Sequence, residues 1–574
     1  MPPSPAALSR PLVVAAGLAG VLMFCHGLIL SGFDLMPGGG DTKFNLVILE
    51  HWFRVVEGLE DWRSPNFFYP KEGTLGYSDG LALLALPYVA VRFAGLAPFH
   101  ALQAITMLWP LVGYAGMMLW LRGLLGLALP AAVAGAAAFA FGTQLYQALA
   151  IGHVQFLAVE LLPWLACLAL LWLRGIDANA RLAMVWGCAA VALLTALLMT
   201  SFYTGWFVVM QCLVLALLAA LVAVLRAGAA AALAGVRDWL ADHWHHAATV
   251  GAVLLLGLVP FLMVYAPVLH EGIARDYSVV ERYLPTLSDL QSPQGNWLWQ
   301  PVAETLMPWL AEAKDELGKG LSWGLLALFM ATLIRLALAC RRDRPDRWLD
   351  LHPFVLSLGL SVVVCWLLMV KIDGHSLWYG VYSAVPGAVA VRTAHRFNCV
   401  LAFSVVTVAA LGLDRLWRLP SVPRLLTAGL ALLIAAEQFN VMPIWLSARA
   451  EFTRIDLVPP PPAFCRAFVL LPARLDPAWH RWTRQLDAVL IAQETNLPTL
   501  NGESGNAPKD WNLFDPADRE VYLKGLIVWA DRYQLWEGLC ALDIDKGRWA
   551  ALERSKLTGS VGEPPPAAAG VPAQ

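Results

Sequence analysis

Three glycines, Gly38, Gly39 and Gly40, precede Asp41 just after a long apolar run, and a stretch with helical periodicity, TKFNLVILEHWFRVVEG, follows it. Glycine lets a backbone approach a ligand closely. A carboxylate at that point can take a proton from a hydroxyl, help hold a cation, or simply cap the helix. The spacing leaves the two readings, site and cap, evenly matched. Asp79 in YSDG is a second carboxylate of the same stretch, with the same choice between a site and an N-cap. His153 and Gln155 stand in GHVQ, and Glu160 follows about two helical turns later. Arg392, His395 and Arg396 crowd into VRTAHRF. A spacing of four would set both guanidiniums on one helical face, a clamp for a phosphate or a contact with phospholipid headgroups. Arg282, beside Tyr283, is a weaker candidate of the same kind.

Other polar groups read as plain structure. HWHH at 243–246 resembles a metal tract but has no acidic or cysteine partner at ligand spacing. Glu437, Gln438 and Asn440 polarise the end of an apolar run, where interhelical hydrogen bonds are the expected use. No P-loop, GxGxxG or HExxH string sits where structure would support it, so ATP-driven transport is not expected.

What positions these groups is an apolar scaffold. The chain has 574 residues, of which 59% are hydrophobic and 14% charged. A soluble domain carries roughly 25% charged residues, so a soluble enzyme, a disordered chain and a small disulfide scaffold are excluded. Forty Lys+Arg against 42 Asp+Glu leave no basic footprint for nucleic acid. The expected class is an all-α polytopic membrane protein with a small C-terminal α+β domain.

Apolar runs fall at 11–32, 101–121, 130–149, 155–174, 182–200, 203–225, 248–268, 320–339, 351–371, 398–414 and 424–442. The first is long enough to remain in the bilayer and ends without an A-x-A cleavage pattern. Arginines mark alternate loops: Arg122; Arg174 and Arg181; Arg226 and Arg237; Arg341, Arg342, Arg344 and Arg347; Arg415, Arg418 and Arg424. Positive loops stay in the cytoplasm. This parity predicts eleven spans, with 33–100, 150–154, 269–319, 372–397 and the tail on the outer side. Residues 80–97 would break the parity if they crossed. Pro87, Arg92 and their short length suggest that they lie along the outer face. The N-terminus is then cytoplasmic and the tail periplasmic, in a bacterial inner membrane.

The tail is divided into an α+β domain at 445–562 and a disordered end at 563–574, after a transmembrane region at 1–444. VPPPP at 458–462 is a stiff linker. AFVLLPA and LDAVLIA read as strands, and NGESG at 501–505 as a turn or a contact surface. Seven of the nine cysteines lie in or beside spans. Cys465 and Cys540 are alone in the tail, where an oxidising compartment permits a disulfide.

Together these strings resemble the GT-C glycosyltransferase superfamily, which includes protein O-mannosyltransferases, oligosaccharyltransferases and aminoarabinose transferases. They are GDTKFNLVILEH at 40–51, FFYPKEGTLGYSDGL at 67–81, GHVQFLAVELLPW at 152–164, PGAVAVRTAHRF at 386–397 and QLDAVLIAQETNLPTLNGESGN at 485–506. The resemblance implies a polyprenyl-phosphate sugar donor, an envelope glycan, lipid or protein acceptor, and transfer at the periplasmic face. It implies that Asp41 is base or metal ligand; by their place in the sequence Asp79 is a supporting carboxylate, and Arg392, His395, Arg396 and Arg282 the donor-phosphate set. The family's second acidic motif is missing: His153 and Gln155 stand there instead. A divalent metal would therefore rest on Asp41 and His153, unless the chemistry needs none. The rival readings are a transporter or flippase for a lipid-linked sugar and a GT-C fold without catalysis. The largely apolar spans, with polar groups gathered at one face, favour interfacial chemistry over passage.

Overall fold

The computed structural model describes residues 5–272, 275–293, 295–311, 320–340, 352–441, 446–471, 481–514 and 518–558. Arg341, Arg342, Arg344 and Arg347, and the end 563–574, lie outside them. Among the described residues, seven helices are long and apolar enough to cross a membrane: Pro98–Leu124, Leu129–Ala150, Val154–Gly175, Ala180–Thr200, Phe202–Leu225, Ala229–His270 and Ala394–Arg418. Five shorter apolar helices accompany them: Arg10–Phe24, Ala82–Phe93, Trp323–Ala339, Phe354–Met369 and Arg424–Ala436. The chain is a multi-pass membrane protein. Eleven of these helices fall on the apolar runs of the sequence. The other, Ala82–Phe93, is about 18 Å long at 1.5 Å per residue, against a hydrocarbon layer of about 30 Å.

Two runs differ from expectation. The run 11–32 is not one helix: the first helix stops at Phe24, and His26 turns its ring back onto the Met23 carbonyl (2.8 Å) before a short helix His26–Leu30. The run 248–268 is the second half of a 42-residue helix that breaks at His243.

Small residues let the helices approach closely. Ala394–Arg418 is the most enclosed of the seven. A methyl group added at Gly412 would lie 2.0 Å from Thr332 Oγ1, and one at Gly135 would lie 3.0 Å from the Ala410 Cβ. Contacts of this kind replace the hydrophobic effect as the packing force inside a bilayer. Glu437 ties the neighbouring helix in place, accepting from the Gly324 and Leu325 amides, Ser322 and Trp299 at 2.7–2.9 Å.

The loops sort into two ends. At one, Arg174 donates to the Leu124 carbonyl, His243 meets Asp177 at 2.9 Å, Asp414 accepts from the Ala128 amide, and Arg418 donates to the Gly126 carbonyl. These are the arginine-bearing loops. At the other end, Asp79 meets residue 202, Asn45 meets Gly152, Arg396 meets His153 and Arg275 meets Gly505.

The tail holds one short sheet of three strands and shares another with the first loop. β1 (Leu35–Met36) pairs antiparallel with β2 (Leu446–Ser447). β3 (Ala467–Leu470) runs parallel to β4 (Leu539–Asp543), which pairs antiparallel with β5 (Arg548–Ala551). A Cys465–Cys540 disulfide, with Cα atoms 5.6 Å apart, joins the approach to β3 with β4. AFVLLPA contains β3, but LDAVLIA is not a strand. It lies inside the helix Arg481–Thr495. Its apolar run is buried on every side, between β3 and the first-loop helix, so neither a two-residue nor a 3.6-residue period shows in it.

The first-loop helix Gly40–Val56 is clamped to this tail helix. Lys43, fully buried, meets Asp487 at 2.5 Å and Glu451 at 2.6 Å, and Arg454 reaches both carboxylates. Arg54 donates to the Gln493 carbonyl and the Asn496 side chain, and Gln493 donates to the Val47 carbonyl. Buried Lys43 and half-buried Arg454 thus balance two buried anions. Removing one partner of a buried pair costs about 3–5 kcal/mol, because a charge is left uncompensated. Lys43→Met is therefore expected to lower unfolding stability in detergent by about that amount. Lys43→Met combined with Asp487→Leu should recover much of the loss.

Candidate active site

Gly38, at φ +79°, turns the chain into the first-loop helix, whose N-cap is Gly39 and whose first turn holds Asp41. The turn is pressed against Gly152, itself at φ +96°. A methyl at Gly38 would lie 2.4 Å from the Gly152 Cα, and a methyl at Gly152 would lie 2.9 Å from the Asp41 Cβ. Asn45 closes the joint, donating to the Asp41 carbonyl (2.6 Å) and the Gly152 carbonyl (3.1 Å). Gly152 is followed by His153. The two glycines thus bring Asp41 and His153 together from different loops.

Asp41 Oδ2 lies 3.2 Å from His153 Nε2, and the same Nε2 lies 2.9 Å from an Arg396 Nη. The Asp41 side chain is 60% exposed while His153 is buried. Nε2 can accept from Arg396 or donate to Asp41, but not both at once. His153 therefore stands between an anion and a cation, and its tautomer decides which it serves.

Arg396 lies 5.2 Å from the Tyr203 ring centroid and 5.9 Å from that of Phe156, and Arg392 lies 4.9 Å from that of Tyr283. Aromatic faces hold guanidiniums by their quadrupoles without consuming their N–H groups. The Tyr203 hydroxyl also accepts from the Arg392 amide at 2.9 Å. The expected helical face is absent here. Val391 is extended, Ala394–Arg396 is a 3₁₀ turn, and the long helix begins only at Phe397. Tyr203 touches both residues, taking the Arg392 main-chain N–H on its hydroxyl and the Arg396 guanidinium over its ring.

Asp79 does not cap the helix that follows it, whose N-cap is Leu81. It accepts from the Phe202 amide at 2.7 Å and so helps cap the helix that begins there. Burial raises its pKa from 3.8 to about 6, opposed by the Phe202 amide and the charge of Arg396. His395 is buried in the same turn as Arg396. Arg282 is exposed, and its Nε donates along its own helix to the Ser278 carbonyl at 3.4 Å. Tyr283, the next residue, carries the contact with Arg392.

Most other charges of the first loop serve structure. Glu50 is held by Tyr88 and Arg92, and Glu60 by His51 and Arg54. Asp34 accepts from Ser447 and the Arg449 amide. Glu160 lies buried against Gly113, away from the Asp41 pair. The HWHH tract spends His243 on Asp177 and the Trp239 carbonyl. Among the described residues no group of three or more His, Cys, Asp or Glu gathers to hold a metal. Asp41 and His153 offer two ligands, and an ion there would have to displace Arg396 from Nε2. The arrangement fits a guanidinium better than a metal ion.

Three residues of the cluster escaped the sequence reading: Arg275, Tyr203 and Asn45. Arg275 did carry a signal, since an arginine in a loop assigned to the outer side goes against the positive-inside pattern. Tyr203 and Asn45 carried none.

No protein family and no curated protein matches the chain in sequence. Solved structures do match in fold. The arabinofuranosyltransferase AftD from Mycobacteria matches over 93% of this chain with a TM-score of 0.51 at 14% identity. This is a GT-C-like fold. The oligosaccharyltransferase of Archaeoglobus fulgidus (TM-score 0.42, 13% identity, 85% of this chain) and ArnT from Cupriavidus metallidurans bound to undecaprenyl phosphate (0.43, 13%, 94%) are also similar. The chain spans 35% of AftD, 62% of the oligosaccharyltransferase and 93% of ArnT.

Gly152→Ala should lower stability by more than Gly126→Ala. Both glycines are left-handed, which costs an L-residue about 1–2 kcal/mol, but a methyl at Gly126 meets open space. Unfolding in detergent checks the difference. Equal losses would mean that the Gly152–Asp41 contact is loose.

Proposed function

We propose that the chain is a GT-C-type glycosyltransferase. It takes a sugar from a polyprenyl-phosphate-linked donor and transfers it, at the periplasmic face, to a glycan, lipid or protein of the cell envelope. What carries this reading is the approach of an exposed carboxylate, Asp41, to the cationic cluster of Arg396 and Arg392 at one end of an apolar helix bundle. A lipid-borne phosphate reaches such a place from the bilayer, and an acceptor reaches it from the water.

In this reading Asp41 takes the proton of the acceptor hydroxyl as its oxygen attacks the anomeric carbon. The bond from that carbon to the phosphate oxygen breaks, and the electron pair leaves with the phosphate. The leaving group gains one negative charge as polyprenyl phosphate. Arg396 and Arg392 stabilise that charge, and attack opposite the leaving group inverts the sugar. His153 orients Asp41 when it donates to it, and restrains Arg396 when it accepts. Asp79 supports Arg396 by charge alone. The Cys465–Cys540 disulfide suits a periplasmic tail.

General-base contributions are about 10²–10⁴-fold and oxyanion-type ones about 10²–10³-fold. Asp41→Asn and Arg396→Ala should each reduce transfer at least about 100-fold at normal membrane abundance. Glycan and lipid-linked sugar analysis of the host envelope reads this directly. Normal abundance with unchanged glycans in both variants would remove the catalytic assignment. With Arg396 in the place a metal would take, chelation with EDTA should leave transfer intact; loss restored by a divalent ion would restore the metal reading.

Asp79 adds a pH signature. Its folded pKa of about 6 lies above the unfolded 3.8, so the folded state holds the proton more tightly. Its contribution to stability falls as pH rises from about 4 to 6. Transfer should run the other way, declining below about pH 6 as Asp79 loses its charge beside Arg396. Asp79→Asn should abolish that acid limb while lowering the plateau. An unshifted limb would assign the titration to another group.

A further inference from the structure

Arg275 is a third guanidinium near Arg392 and Arg396, and it faces two parts of the molecule. Its main chain is built into the loop that carries the other two arginines: its N–H donates to the Val389 carbonyl at 3.3 Å, and its carbonyl accepts from the Tyr382 hydroxyl at 2.8 Å. Its side chain reaches into the tail. One Nη donates to the Gly505 carbonyl at 2.7 Å, with the Asn506 side-chain oxygen at 3.5 Å.

The tail loop it holds is rooted at Trp511, which is buried and donates from its indole N–H to the Leu500 carbonyl at 2.9 Å, and at Asn501. Asn501 is buried and fully engaged, accepting from the Leu470 amide and donating to Gln485 and Tyr522 at 2.8–2.9 Å. Beyond that root the loop runs past the first loop, where a methyl on Gly505 would lie 3.2 Å from the Tyr77 carbonyl, two residues from Asp79. The Arg275 contact is thus a latch between the arginine cluster and a tail segment beside the catalytic face.

The latch works against charge. Burial, together with repulsion from Arg392 and Arg396, holds the Arg275 guanidinium below its usual pKa range. An anion seated among three guanidiniums turns that mutual repulsion into shared attraction.

We propose that Arg275 is a positioning residue that couples occupancy of the donor-phosphate site to the tail loop 501–506, so that the lipid phosphate fixes this loop before the acceptor is received. The proposal rests on the donor reading above and adds an order of binding to it: donor first, acceptor second. The acceptor then meets a wall formed by Glu503, Ser504 and Asn506 that is firm only when the donor is present.

Hydrogen exchange of 502–506 in the full chain tests this. The protein is placed in nanodiscs of phosphatidylglycerol alone, or with undecaprenyl phosphate added, and lipid binding is followed in parallel by native mass spectrometry. In the wild type, undecaprenyl phosphate should slow exchange of this loop about fivefold or more, the usual floor for coupled sites, while phosphatidylglycerol alone does not. Arg275→Ala should still bind the lipid phosphate through Arg392 and Arg396 but lose the slowing. Arg275→Gln is the companion variant should Arg275→Ala fail to fold. Binding without any change in the wild-type loop, or slowing that survives in either variant, would overturn the coupling and leave the donor site standing. Slowing by phosphatidylglycerol alone would make the cluster a headgroup site. Absence of undecaprenyl phosphate binding to the wild type would remove the donor reading and the coupling with it.

Discussion

The helix Gly40–Val56 is held at three levels, and the site depends on each. Lys43 locks its first turns to the tail through Asp487 and Glu451, Glu50 locks its middle to Tyr88 and Arg92, and Arg54 locks its end to Glu60 and Asn496. Each lock is a buried charge with partners, which is expensive to form and more expensive to break on one side only. The reward is position. A carboxylate in the first turn of a helix so restrained cannot drift from the opposing loop, and the Gly38–Gly152 contact sets its distance to His153.

The chemistry then follows from a division of labour among cations. In the proposed reaction a lipid-linked phosphate needs positive charge where its own charge grows, and the bundle would supply guanidiniums that are not buried bare. Arg396 rests near Tyr203 and Phe156, Arg392 near Tyr283, and Arg275 against the tail loop. Aromatic support leaves planar N–H groups available for a ligand. His153 is the hinge of this arrangement, since one nitrogen serves either the carboxylate or the guanidinium.

Much of this was legible in the residues. The apolar runs foretold eleven of the described apolar helices, because a chain that crosses a bilayer must satisfy its backbone within a helix. Asp41, His153, Arg392 and Arg396 were marked by type and place. What failed were local readings. LDAVLIA looked like a strand because it is buried on every side and so shows no period. Arg392 and Arg396 were set on a helix face, where the chain is instead extended and then tightly turned. Asp79 was matched to the helix after it in sequence, although it caps one more than a hundred residues away. Lys43, a fully buried cation, gave no signal, since its partners lie in the tail and only the fold brings them near.

In the proposed reaction Asp41 drives departure of a polyprenyl phosphate at the arginine cluster. The most direct measurement follows purified protein in nanodiscs supplied with the lipid-linked sugars and envelope acceptors of its host, with polyprenyl phosphate release read by mass spectrometry. The wild type should convert a lipid-linked sugar to free polyprenyl phosphate, one per sugar transferred. Asp41→Asn should bind the same lipid and release essentially none. Release by Asp41→Asn at the wild-type rate would contradict the account.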